Sequence, residues 1–454
     1  MRMTGMELAR ATAGTWSGTM PDSICGICTD SRQPHDGFAF LALRGPHHDG
    51  HAFASEAAGA CTALIGDAAG AAQWNTIDRP RLVVADTLIA LGDIATAWRQ
   101  RLANTTVIAI TGSYGKTTVR GMIVHALTAL GRRVATNPAN HNNLIGVPQT
   151  LLAIPEDAEF AIIECGVSEP REMRRLAEIV RPDAAVLTGL ATAHGEGLGG
   201  MEGIIHEKFE LLAAVGTDGW CVLGQGVHAL LAQQHLTPQA PCIAMDQGET
   251  DQVAWSLDDN RLHLAYGKQA AEIPMLLPAR HWAEDMALAA TVILRSNRSG
   301  ITLAAIAEAL AGWRPTAGRM QPAPGKSGST ILDDSYNANP ASMQAALDTL
   351  ARMPGRHIAI LGDMTELGED SPALHATLDV SGVDQLILVG SQMKHLAAHH
   401  AEALWLSDTD AACRHLRDFP LVAGDYVLVK ASHSMRLDRI AALLTSPRED
   451  AHAL

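Results

Sequence analysis

The chain of 454 residues contains no uncharged apolar run of about 18 residues, the length a helix needs to cross a bilayer. No membrane-spanning segment is expected. Behind Met1-Arg2-Met3-Thr4-Gly5 there is no continuous apolar stretch of the kind that makes a secretory leader, so none is expected either. The seven cysteines (Cys25, Cys28, Cys61, Cys165, Cys221, Cys242, Cys413) are odd in number and scattered, which does not make a disulfide framework. A single CxxC, Cys25-Gly26-Ile27-Cys28, has no second CxxC or CxxH to complete a zinc site, and its apolar setting predicts buried strand cysteines. A reducing, cytoplasmic compartment is expected. Basic residues are outnumbered, 34 Lys and Arg against 49 Asp and Glu, for a net charge of −15. That balance disfavours any sequence-independent grip on nucleic acid or on an anionic membrane surface. An anionic ligand must be held by local groups. No short internal repeat is present.

Apolar side chain, by contrast, is plentiful: hydrophobic residues are 47% and charged residues 18%, enough for real cores and too apolar for disorder. The length predicts roughly three domains. Residues 1–104 read as a small α/β unit, with short apolar runs at 38–43, 63–65 and 82–84 between Gly, Pro and Asp clusters. Residues 105–314 carry short buried strands at 107–110, 160–163, 184–187 and 220–223 separated by helical patterns, the sequence form of a mostly parallel sheet. Gly312, Pro315, Gly318, Pro322, Pro324 and Gly325 then make a turn-rich stretch suited to a hinge. Strand and helix alternate again over 315–454, with strands predicted at 330–332, 357–361, 385–389 and 426–429.

The strongest local signal follows the strand 107–110. Thr111-Gly112-Ser113-Tyr114-Gly115-Lys116-Thr117-Thr118 leads into a helix whose apolar stripe is Val119, Met122, Ile123, Ala126, Leu127 and Leu130, stopped by Gly131. Strand, glycine loop, Lys, Thr and helix form a phosphate cradle: backbone N–H groups face the anion, Lys116 reaches the terminal phosphates and Thr117 offers its hydroxyl to magnesium. Only Ser113 and Tyr114 separate the two glycines, where the standard motif has four residues. An ATP-binding domain is expected. Open α/β sheets bind ligands at the carboxyl ends of their strands, and there stand Glu164, a hard oxygen ligand, and the loop residue His194 in Thr192-Ala193-His194-Gly195-Glu196-Gly197. Lys208, on a predicted helix, completes the set.

These residues resemble the Mur ligase family, ATP-dependent enzymes that add amino acids to the peptidoglycan precursor. The shortened phosphate loop is that family's form, and further blocks agree in order along almost the whole chain. They are Thr29-Asp30-Ser31-Arg32, Asp49-Gly50-His51-Ala52-Phe53, Asn140-His141-Asn142-Asn143-Leu144-Ile145-Gly146-Val147-Pro148 and Glu164-Cys165-Gly166. In the last third come Asp333-Asp334-Ser335-Tyr336-Asn337-Ala338-Asn339-Pro340, Leu361-Gly362-Asp363-Met364-Thr365-Glu366-Leu367-Gly368 and Lys430-Ala431-Ser432-His433-Ser434. The Asp-Asp-Ser-Tyr-Asn-Ala-Asn and Gly-Asp-Met-x-Glu-Leu-Gly blocks point to the branch that adds D-alanyl-D-alanine.

The resemblance implies an α/β fold of three domains: an N-terminal UDP-sugar-binding domain, a central P-loop ATPase domain and a mobile C-terminal Rossmann-like domain. It implies ligation of D-alanyl-D-alanine to UDP-N-acetylmuramoyl-tripeptide through an acyl phosphate, in the cytoplasm, by a monomer using ATP and two magnesium ions. By position, Gly112, Ser113, Gly115, Lys116, Thr117 and Thr118 would hold the nucleotide phosphates, with His281 and Asp285 in its binding region. Thr117 and Glu164 would hold one magnesium and His194 the other. Lys208 matches the family's carbamylated lysine, a cation converted to an anionic metal ligand. Arg319 matches the arginine that reaches the γ-phosphate and Asp334 the ribose-binding aspartate. Ser31, Arg32 and His51 fall in the uridine-nucleotide region, Asn142 and Asn143 in the muramoyl-peptide channel, and Asn337, Asn339, Asp363 and Glu366 in the blocks of the C-terminal domain that face substrate.

The chain also departs from the family pattern. Arg280-His281-Trp282-Ala283-Glu284-Asp285 stands where Arg-His-Asn-x-x-Asn is usual, so Asp285 replaces an amide that normally helps fix the nucleotide. Lys430-Ala431-Ser432-His433 stands for Lys-Gly-Ser-Arg, Tyr114 occupies a loop position usually small or amide-bearing, and Ala139 replaces a glycine. Two other readings follow: a related amide ligase acting on a different carboxylate and amine in a specialised pathway, and a nucleotide-dependent switch that does not ligate. The switch has no need of Glu164, His194, Lys208 and Asp334 together.

Overall fold

A computed structural model describes residues 1–45, 48–138, 140–191, 195–248, 251–296 and 300–446. Its strands form four sheets. The first holds Thr15–Ser17, Arg81–Val84, Ala63–Asp67, Phe38–Leu41 and Gly26–Cys28 in that order, parallel except for the antiparallel edge strand Thr15–Ser17. The second is wholly parallel, in the order Cys242–Ala244, Trp220–Leu223, Ala184–Leu187, Thr106–Thr111, Phe160–Glu164, Val134–Thr136. A small antiparallel sheet of Ala254–Asp258, Arg261–Tyr266 and Gln269–Pro274 follows it. The last sheet orders Gln321–Pro324, Thr330–Asp334, Asp425–Lys430, Arg356–Gly362, Gln385–Val389 and Leu404–Leu406, with only its first pair antiparallel.

Side chains alternate across a strand, so a strand buried on both faces feeds two cores. In the second sheet Ile108, Ile110, Ile162, Val186 and Val222 face one core, built with the helices Lys116–Ala129 and Arg280–Arg295. Val107, Ala109, Ala161, Ile163 and Leu187 face the other, built with the helices Thr87–Arg99, Gly146–Ala153 and Glu172–Val180. The same division continues outward. Leu332, Leu361 and Leu428 of the last sheet join the first of these cores, while Ala39, Ile65 and Leu82 of the N-terminal sheet join the second. Apolar burial at roughly 25 cal/mol per Å² therefore acts across the boundaries expected near 104 and 314 as well as between them.

The predicted phosphate-loop helix is Lys116–Ala129; all of its stripe is buried except Leu130, which is half-buried as the capping residue, and Gly131 follows with φ +75°. Two expectations change. The turn-rich stretch near 312–325 is partly a strand: Gln321–Pro324 pairs with Thr330–Asp334 at the sheet edge, where Pro322 and Pro324 are tolerated because that side needs no N–H. Of the Cys25/Cys28 pair, only Cys28 is a buried strand residue, its thiol donating to the Asp30 carbonyl at 2.9 Å; Cys25 precedes the strand and is exposed. The antiparallel sheet over 254–274 carries no motif that the sequence reading used. Among the described residues no helix is long and apolar enough to cross a membrane.

Candidate functional site

The strand Thr106–Thr111 ends at the centre of the second sheet, and the chain then reverses into a helix within the loop Gly112–Gly115. Gly112 has φ +155°, and a Cβ there would lie 2.1 Å from Thr188 Oγ1; Gly115 has φ +78° and serves as the helix N-cap. Both positions need glycine, one for space and one for its left-handed backbone. The loop and the first turn of the helix leave N–H groups facing a cavity of about 580 Å³.

Lys116 lies against the loop, its Nζ donating to Gly112 O at 2.6 Å. Burial pushes its ammonium pKa down, with Glu164 opposing and Arg319 adding to the shift. Thr117 Oγ1 donates to the two Glu164 carboxylate oxygens at 3.2 and 3.0 Å. Glu164 itself is buried and held from three further sides. Asn142 Nδ2 donates to it at 2.9 Å, Arg120 Nη1 lies 3.2 Å away, and its own N–H donates to Asn137 Oδ1 at 2.7 Å. Arg319 crosses from the C-terminal unit: Nη2 donates to Thr117 Oγ1 at 3.2 Å while the guanidinium sits 3.9 Å over the Tyr336 ring. Asp334 is paired with buried Lys430 at 2.6 Å, and the same ammonium donates to Asn337 O at 2.9 Å.

Lys208, on the helix Gly200–Ala213, is buried and lines this cavity. Burial first, and then Lys116, push its pKa down to about 7, with Glu207 opposing. Glu207 is otherwise engaged, accepting from the N–H groups of Arg171 and Met173 at the start of the helix Glu172–Val180. Lys208 is left with no hydrogen bond or ion pair among the described residues. Ser113 Oγ and His281 Nδ1 are likewise buried without partners, and burial holds the His281 imidazole down to about 4. Buried polar atoms are normally satisfied, so unpaired ones around a cavity mark where a polar ligand binds. Thr117 and Glu164 supply the hard oxygen atoms that magnesium takes. The residues present fit a magnesium nucleotide.

The sequence-predicted residues Ser113, Gly115, Lys116, Thr117, Thr118, Asn142, Asn143, Glu164, Lys208, His281, Asp285, Arg319, Asp334, Asn337, Asn339 and Glu366 all line the one cavity. Gly112 supports it through its carbonyl. His194 lies outside the described residues. Asn143 Oδ1 accepts from the N–H groups of Ile145 and Gly146 at the start of the helix Gly146–Ala153, and Asn339 caps the helix Pro340–Leu350 while its Nδ2 reaches Ser113 O at 3.4 Å. Asp363 does not face the cavity: its carboxylate accepts from the N–H groups of Gln392 and Met393 at 3.0 and 2.9 Å. His51 is buried with both ring nitrogens occupied, Nδ1 on Asp49 at 2.6 Å and Nε2 accepting from Asp67 N at 3.1 Å, so it has none to offer a ligand. Ser31 donates to Glu56 at 2.8 Å, and Arg32 is exposed and paired with Asp30. Lys430, which lines the cavity, and Arg120, which pairs with Glu164, are cations that the sequence reading left without a role. The signal for Arg120 was its i+3 spacing from Thr117, which shares a helix face.

The family model described as the Mur ligase middle domain matches residues 110–293, and the one described as the Mur ligase, glutamate ligase domain matches residues 318–433. The UDP-N-acetylmuramoyl-tripeptide–D-alanyl-D-alanine ligase of Escherichia coli (strain K12) is 32% identical over 93% of this chain and 94% of its own. Crystal structure I of MurF from Acinetobacter baumannii superposes with a TM-score of 0.85 at 26% identity, over 98% of this chain and 99% of that one. The fold is shared too with the Thermotoga maritima MurF ligase solved in complex with ADP, at a TM-score of 0.79, 24% identity and coverage of 92% and 96%.

Proposed function

The chain belongs to the Mur ligase family, and from that premise we propose that it joins D-alanyl-D-alanine to UDP-N-acetylmuramoyl-tripeptide with ATP, in peptidoglycan precursor synthesis. The observation that carries the reading is the convergence of Lys116, Thr117, Glu164 and Lys208 with Arg319 and Asp334 on one cavity, in a chain related over nearly its whole length to a ligase of that name.

A free carboxylate is a poor electrophile; transfer of the γ-phosphoryl group of ATP makes it an acyl phosphate, which the incoming amine attacks to give an amide, ADP and phosphate. The loop N–H groups and Lys116 hold the phosphates. Thr117 and Glu164 would hold magnesium, which would supply positive charge beside the transferred phosphoryl group. Arg319 brings a second cation to Thr117 from the C-terminal unit, so the γ-phosphoryl end is enclosed only while the two units are together. That enclosure protects the acyl phosphate from water. Asp334 faces the ribose. Lys208 would carry the carbamate: an amine whose pKa is near 7 is largely neutral above that pH, the form that adds CO₂ with loss of a proton to give an anion able to hold a metal. We assign UDP-sugar binding to residues 1–104, ATP binding to 105–314 and the Rossmann-like acceptor unit to 315–454, in a cytoplasmic monomer.

The test is phosphate release and product mass with ATP, the tripeptide nucleotide and D-alanyl-D-alanine. Release that needs both acceptors, with a product heavier by the dipeptide less water, supports the reading. Silence with these acceptors but turnover with another carboxylate and amine assigns the chain to a specialised pathway, and ADP binding without any ligation makes it a switch.

A further inference from the structure

Asp285 is a carboxyl in the nucleotide cavity with no counter-charge among the described residues. It stands in the second turn of the helix Arg280–Arg295 and closes on the phosphate loop: a Cβ at Gly115 would be 3.2 Å from its Oδ1 and 3.4 Å from Thr188 Cβ. The groups facing it bring no positive charge. Glu284, beside it on the helix, is acidic; Tyr114, on the loop, has its phenol pKa raised by burial and then by Asp285 and Glu284; Thr188 and Gly115 are neutral. His281, one turn earlier, is uncharged at neutral pH. Arg280 is turned away, with Nε 3.2 Å from Glu284 and its guanidinium over the Trp255 ring. Asp285 makes no hydrogen bond or ion pair among the described residues. A nucleotide seated on the loop therefore brings its phosphate charge near a carboxyl that has no cation of its own among the described residues.

We propose that Asp285 admits the nucleotide only as the neutral acid, acting as a positioning group that donates through O–H and accepts through C=O, so that nucleotide binding is linked to a proton at this side chain. Burial and the neighbouring Glu284 push its pKa well above the usual carboxylate range, in the direction that favours the neutral acid. An amide at this position offers the same donor and acceptor without titrating. The inference rests on the reading of the cavity as a nucleotide site.

The test is calorimetric titration with ADP, without metal, from about pH 6 to pH 9 in buffers of different ionisation enthalpy, on the full chain and on D285N. D285S gives a second non-titrating comparison should D285N fail its melting control. The titrations of ADP and of Lys116 are common to all three proteins and cancel in the ratios. The ratio of Kd for the native chain to that for the variant should rise roughly tenfold per pH unit above the midpoint of the carboxyl, and the native chain should retain or take up more protons than the variant. A ratio constant with pH, with equal proton counts, overturns the inference and leaves the nucleotide site standing. No ADP binding by any of them at any pH refutes the site and the inference together.

Discussion

The polar residues of the phosphate loop and those of the N-terminal unit are equally numerous in the motifs, yet the structure treats them in opposite ways. Around the loop, Lys208, Asp285, Ser113 Oγ and His281 Nδ1 have no hydrogen-bond or ion-pair partner among the described residues, and the titrating groups are displaced from ordinary values. In the N-terminal unit His51, Ser31 and Arg32 are each satisfied by Asp49, Asp67, Glu56 or Asp30 within the same unit. Both hold motif residues; among the described residues, buried polar atoms without partners occur around the first and not in the second. Desolvated groups without partners are costly, so a fold keeps them where a ligand compensates.

The contrast is open to direct challenge. Lys116→Ala should reduce phosphate release by about a thousandfold or more, since the loop then meets the phosphates without its cation; near-normal turnover would end the claim that the loop does the chemistry. Lys208→Ala should lose about a hundredfold or more and recover in part with added short carboxylates that refill the anionic position. Full activity without rescue would remove the carbamate. In the native chain, activity in CO₂-depleted buffer should fall, and fall more below pH 7 than above it, because protonation of Lys208 below about 7 removes the reactive amine.

The N-terminal residues should act on stability instead. His51→Ala removes two hydrogen bonds and the contact with the Trp74 ring, 5.4 Å between centroids, and should cost about 3 kcal/mol on chemical denaturation while ADP binding is unchanged. The smallest effect belongs to Arg32→Ala, whose ion pair with Asp30 lies at the surface: the melting temperature should not move, and a raised KM for the uridine nucleotide alone would show that Arg32 serves the ligand.

Much of this was legible beforehand. The strand 107–110, the glycine loop and the 3.6-residue stripe from Val119 fixed the phosphate loop because each is a local pattern with its own period. The edge strand Gln321–Pro324 was hidden by its prolines, which read as turns, and the sheet over 254–274 by the absence of any motif. Among site residues, Glu164 could be placed because strand ends in a parallel sheet converge on the loop. Lys208 could not be seen as buried, nor Asp363 as a brace for the Gln392 and Met393 N–H groups, since burial and partnership depend on residues distant in sequence.

By itself the sequence determined the parallel-sheet units, the phosphate loop and the kinship with amide ligases, all matters of spacing between near neighbours. Only the tertiary structure decided which motif side chains stay free. Arg319 reaching Thr117 across 202 positions, Lys430 neutralising Asp334 across 96, and Asp285 facing the loop with no cation beside it among the described residues are outcomes of packing, because charge and hydrogen bonding act over a few ångströms of space and are indifferent to distance along the chain.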